Sequence, residues 1–165
     1  MTVNQDERWF EEIDDGSGER ARMLFEQYKL YVESSHKVSD RRATSNTFLL
    51  TANTGLVTVY GLIAGREGSL ATAAGAWAWL IPLAGFLLCL AWFTLIRAYR
   101  ALNTAKFAVI HALERRLPAR LFDFEWDQLE RGKSWLYTPL THVEQYVPMV
   151  FAAIYVTLFI AAFVK

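Results

Sequence analysis

Where the charges stand constrains this chain more than any average does. Of 17 Lys plus Arg and 17 Asp plus Glu, only Arg66 and Glu67 fall between Phe48 and Ile96, and none lies between Glu144 and Lys165. Long uncharged apolar blocks alternating with charged ones read as a membrane protein. The averages (53% hydrophobic, 21% charged residues) conceal this, because they spread a segregated pattern over 165 residues. That length suits one domain, two at most.

A bilayer core of about 30 Å takes roughly 20 helical residues. Three stretches qualify, at 45–64, 74–96 and 143–164. The first is the least apolar, since its polar members are small: Thr47, Thr51, Asn53, Thr54 and Thr58. The second carries Pro82 and Gly85. In the third, Thr141 and Glu144 form a capping-box pattern just ahead of the span, and Pro148 sits within its first two turns, where a missing amide costs least.

Basic residues orient the spans. Arg8, Arg20, Arg22, Lys29, Lys37, Arg41 and Arg42 precede the first; Arg97, Arg100, Lys106, Arg115, Arg116, Arg120, Arg131 and Lys133 separate the second from the third. The other two segments hold only Arg66 and Lys165. The expectation is a multi-pass protein of a bacterial inner (plasma) membrane, N-terminus cytoplasmic and C-terminus outside. Lys37, Arg41 and Arg42 are candidate contacts to lipid phosphates. The acidic start (Asp6, Glu7, Glu11, Glu12, Asp14, Asp15 and Glu19 against Arg8) does not read as a cleavable signal.

Beyond the spans the chain divides into an acidic flexible N-terminus (1–18), a cytoplasmic helix (19–44), a second cytoplasmic helix (97–117) and an interfacial or cytoplasmic segment (118–141). Trp9, Phe10 and Ile13 in the first of these could form a small docking helix. Leu24, Tyr28, Tyr31, Ser35 and Val38 share one face of the first cytoplasmic helix at alternating three- and four-residue steps. Ala98, Ala101, Ala105, Ala108 and Ala112 repeat at the same steps in the second, and such a seam lets another helix approach closely. The expected fold is all-α: three transmembrane helices, the first two forming a long antiparallel hairpin that extends into the cytoplasm, with the alanine seam packed inside it.

Span one also carries a stripe of small or hydroxylated residues: Thr44, Thr47, Thr51, Thr54, Thr58, Gly61 and Gly65. In lipid such stripes mark close helix contacts. Asn46 and Asn53 adjoin it, and an Asn at membrane depth seeks a partner amide or a hydrated cavity. Asn46, Thr47, Thr51, Asn53, Thr54, Thr58 and Gly61 are therefore the candidate oligomer or pore residues, either packing against a helix or lining a water-filled lumen. Ala71, Gly75, Ala78, Pro82, Gly85 and Cys89 offer a matching face on span two.

Other chemistries find little support. No Asp, Glu, Lys or Arg lies deep in a span, so no proton relay is evident. His111 and Glu114 stand one turn apart without a second ligand pair and read as helix-surface residues. Cys89 lies in an apolar block and reads as a packing residue. With zero net charge and a pI near 6.8, no global field favours nucleic acid. No enzyme activity, cofactor, metal or specific nucleic acid is expected; the expected partners are membrane lipids, further copies of the chain and a cytoplasmic protein.

Gln27-Tyr28-Lys29-Leu30-Tyr31-Val32-Glu33, Val38-Ser39-Asp40-Arg41-Arg42, Asn46-Thr47-Phe48 and Asn53-Thr54 together resemble a widespread group of small bacterial integral membrane proteins of unassigned function. The resemblance is concentrated in residues 27–54 and implies no catalytic residues. By analogy of size and topology, small membrane proteins of this kind include effectors of bacterial immunity, some of which assemble into pores. The expected function is a homo-oligomeric membrane protein acting as a pore or membrane-permeabilising effector in defence. The alternative is a non-catalytic membrane anchor or scaffold for a cytoplasmic partner.

Overall fold

A computed structural model of the chain describes residues 18–64, 70–129 and 140–164, with side chains over 18–64, 77–129 and 144–162. Four helices follow in order: α1 (Glu19–Ala64), α2 (Leu70–Glu114), α3 (Leu121–Gln128) and α4 (Leu140–Val164). No strand occurs among the described residues. α1, α2 and α4 are each long and apolar enough to cross a membrane.

α1 runs unbroken for 46 residues because no proline interrupts it. It starts where Gly18 takes φ +70, a left-handed conformation that costs glycine little, and the first backbone bond runs from the Arg22 amide to the Gly18 carbonyl. The charged stretch and the first span are thus one helix. α2 holds 45 residues and tolerates Pro82 inside an apolar stretch. Its end comes at Glu114, short of the expected boundary at 117. Pro118 disfavours helical backbone at the residue before it, and the last amides turn to three-residue bonds, Arg116 to Leu113 and Leu117 to Glu114. α4 begins at Leu140, so Thr141 and Glu144 lie inside its opening turns instead of ahead of it. The N-terminal docking helix and the turn carrying Arg66 fall outside the described residues.

The chain separates into two compact units. The first joins α1 up to Ser39, α2 from Leu102, and α3. The second joins α1 from Asp40, α2 up to Ala101, and α4. In both, α1 and α2 run antiparallel, as the pairings Tyr28–Glu114 and Ser34–Lys106 in one and Asn46–Trp92 and Asn53–Cys89 in the other require. They make the hairpin that two apolar helices joined by a short connection favour.

In the second unit Leu49, Trp92 and Ile96 form the core, with Leu88, Leu95, Val147 and Phe151 packed around them. Trp92 and Phe151 meet at 6.4 Å between ring centroids. α4 closes on this pair through Tyr155, which is fully buried, its ring lying over Gly85 of α2. A side chain at Gly85 would occupy the space of the Tyr155 ring, so the absence of a Cβ there sets how closely α2 and α4 approach.

In the first unit the α1 face through Leu24, Tyr28, Tyr31, Ser35 and Val38 turns inward, with Ser35 buried. Lys106 of α2 donates to Ser34 at 2.8 Å and lies over the Tyr31 ring at 4.7 Å. Phe107 meets Phe122 of α3 edge to face at 5.8 Å.

Ala98, Ala101, Ala105 and Ala108 are exposed, and only Ala112 of the seam is buried. The seam therefore does not pack inside the hairpin. The larger side chains of Trp92, Ile96, Phe107, Ile110 and Leu113 hold the inward side of α2, because they bury more apolar area than alanine can.

Candidate functional site

The candidate site is the α1 span and what surrounds it in the second unit. Its two asparagines turn inward. Asn46 accepts a hydrogen bond from Trp92 Nε1 at 2.9 Å. Asn53 is 0% exposed and stands where three helices meet. Its Nδ2 donates to the Leu49 carbonyl at 2.8 Å, its Oδ1 accepts from Cys89 Sγ at 3.3 Å, and its backbone carbonyl accepts from the Tyr155 hydroxyl at 3.1 Å. Of the two arrangements expected for them, packing against a helix and lining a lumen, both asparagines take the first, within one protomer. One protomer supplies partners for both, and in a medium without water that pairing is what keeps an amide from being stranded.

The threonines behave oppositely. Thr47, Thr51, Thr54 and Thr58 are all exposed, as is Thr44 one turn earlier. Each hydroxyl donates to the carbonyl four residues back, at 2.9–3.0 Å. Such bonds satisfy the donor within the helix and leave a methyl group and the oxygen lone pairs on the surface. Gly61 is exposed, and a Cβ placed there, or at Gly55, would meet nothing within 4 Å. The stripe is one smooth, uncharged face that the protomer's own packing leaves uncovered. On α2, the matching residues Pro82, Gly85 and Cys89 are buried and Ala78 half-buried, and they serve the protomer's interior; the side chains of Ala71 and Gly75 lie outside the described residues.

The basic cluster at the start of the span is divided. Arg42 faces Glu144 of α4 at 3.6 Å, both side chains largely covered. Lys37 pairs with Glu33 at 2.8 Å on the exposed side of α1, and this holds the Glu33 carboxyl below the usual carboxylate range. Arg41 is exposed. Of the three candidate lipid-phosphate residues, Lys37 and Arg41 are placed outward and Arg42 is turned to a carboxylate of α4.

A second constellation lies in the first unit. Glu114, expected at the surface, is 1% exposed. Its Oε1 accepts from the Tyr28 hydroxyl at 3.1 Å and from the Phe122 amide at 3.0 Å, and its Oε2 accepts from the Asp123 amide at 3.2 Å. The amides belong to the first turn of α3, whose N-cap residue Arg120 makes no side-chain cap. Glu114 caps that helix from another element, where the exposed amides and the helix dipole favour an anion. Burial, then the hydrogen bond to Glu114 and its charge, push the Tyr28 hydroxyl up to about 12. His111 Nδ1 lies 3.7 Å from Glu114 and 3.9 Å from Asp123. The signal for this cluster was present, since Glu114 ends a helix just before Pro118, but nothing local reveals which helix a terminal carboxylate will cap.

The family model of octameric membrane proteins (8xMP) matches residues 25–164. The chain belongs to the octameric membrane protein family. That match takes in all three spans, the Asn53 junction and the Glu114 cluster, and it extends well beyond the 27–54 stretch on which the resemblance was read. No curated protein and no solved structure matches the chain. Membership makes this a membrane protein of a family whose name is an oligomer, which accords with a homo-oligomeric assembly.

Proposed function

We propose that the chain is the non-enzymatic protomer of a homo-oligomeric pore or membrane-permeabilising assembly of a bacterial inner membrane, acting in defence. The observation that carries this reading is the uncovered Thr/Gly face of α1. In lipid, helices associate through close backbone contact and polar side chains, since the hydrophobic effect is absent there. A face of Thr47, Thr51, Thr54, Thr58 and Gly61, unused by the protomer and free of charge, suits contact between copies or the lining of a lumen between them. A single protomer encloses no path, so conduction requires several. The N-terminus is cytoplasmic in this reading, as the basic residues favour.

The test is solute flux through liposomes carrying the wild-type chain, compared with Thr54→Leu and Leu56→Ala. Thr54→Leu should reduce flux or assembly by crowding the face, while Leu56→Ala, off the stripe, should do less. A wild type that assembles yet never conducts removes the pore.

One observation favours a scaffold as the second reading. α3 is clamped by Glu114, yet directs Leu121 and Phe124 outward beside Glu125, Trp126 and Asp127, all exposed. An anchored helix with mixed apolar and acidic outer residues suits a protein partner.

A further inference from the structure

Among the described residues, none covers the outward side of α2 in the first unit. From Leu102 to Val109 every exposed residue of α2 is uncharged: Leu102, Thr104, Ala105, Ala108 and Val109. Leu102 is 45% and Val109 37% exposed. The one cation in this stretch, Lys106, turns inward to Ser34 and the Tyr31 ring. α1 in the same unit looks quite different. Its outer face also exposes Met23, Phe25 and Leu30, but sets among them the pairs Glu26–Lys29 and Glu33–Lys37, with charged side chains more than half exposed, as a helix in contact with water carries.

That contrast identifies the environment. Ser34 bonds Lys106, so this part of α2 is level with Glu33 and Lys37 of α1. A lipid core at that level would strand those charges, whereas water would leave two turns of α2 exposed, Leu102 and Val109 included, without one outward charge. A protein surface accounts for both. Ala105 and Ala108, flanked by Leu102 and Val109, let a helix come near enough for backbone-level packing while the larger residues supply apolar area. Since the chain belongs to a family of octamers, the surface available in every assembly is a second copy of itself.

We infer that the Leu102–Val109 face of α2 is a contact between protomers outside the membrane. The inference rests on the homo-oligomeric reading and adds an interface apart from the Thr/Gly face. In a cyclic arrangement of copies this α2 face meets a different face of its neighbour.

Cysteine footprinting tests it. On the full chain carrying Cys89→Ser, Ala105→Cys and separately Val109→Cys are reacted with a water-soluble maleimide, in the intact complex and in the monomer released by stronger detergent. Labelling at both positions should be lost in the complex and recovered in the monomer. Equal rates in the two states would overturn the inference. The mass of the wild-type complex, measured alongside, separates the two claims: a wild-type monomer defeats oligomerisation itself, while an oligomer with position 105 freely labelled defeats only this interface. Ala105→Leu covers the case in which a cysteine is tolerated without effect. It should shift the mass distribution toward smaller species with helix content unchanged, and an unaltered distribution counts against the contact.

Discussion

Gly85 and Gly61 sit in similar apolar sequence, yet the structure gives them opposite roles. Gly85 holds the Tyr155 ring against α2, while Gly61 faces open space. Gly85→Ala should destabilise the protomer by about 1–3 kcal/mol through overpacking, and Gly61→Ala should leave a monomeric preparation almost unchanged, both read from thermal unfolding in detergent. Tyr28 offers a test of the other unit. Its hydroxyl is raised to about 12, so an unfolded tyrosine ionises first, and the folded state loses stability as pH climbs from about 10 through 12. Below that window the contribution is complete. Tyr28→Phe should flatten the alkaline slope relative to wild type, and identical slopes would show that Tyr28 is neither buried nor bonded to Glu114 in the folded protein. Sequence reading left Asn53 between packing against a helix and lining a lumen, and could not say which groups it meets. A buried amide announces that it needs partners, but Cys89 and Tyr155 lie 36 and 102 residues away, and no local pattern joins them.

At the scale of helices, charge segregation made the three spans and the hairpin legible, because the cost of ionised groups in lipid is large and local in sequence. The alanine seam was legible as a face and misread as to its neighbour. Spacing tells which residues share a side of a helix; side-chain volume decides which side the fold buries, and Trp92, Ile96 and Ile110 outweigh alanine there. α3 depends on a residue outside itself. Removing its cap with Glu114→Ala strands the Phe122 and Asp123 amides and the Tyr28 hydroxyl, at a cost of about 1.5–3 kcal/mol for charge-assisted bonds. Hydrogen exchange at those two amides should accelerate in Glu114→Ala and stay near wild type in Glu125→Ala, whose side chain is exposed. Protection that survives Glu114→Ala would mean Phe107–Phe122 packing alone holds α3.

For the whole molecule, the protomer's own packing takes up the asparagines of the first span and leaves two smooth faces among the described residues, one of threonine and glycine on α1, one of alanine, leucine and valine on α2. With Asn46 and Asn53 bonded inside the protomer, these faces are free for association through close helix contact. The direction in which it sits should follow its basic residues. A cysteine introduced at position 165, on a Cys89→Ser background, should react with an impermeant reagent from outside the cell, and reaction from the cytoplasmic side alone would reverse the orientation. The most direct measurement is the mass of the purified complex in lipid nanodiscs by native mass spectrometry. Eight times the 18.9 kDa protomer is the expected protein mass, and a single protomer at every concentration would contradict the homo-oligomer on which the proposed function stands.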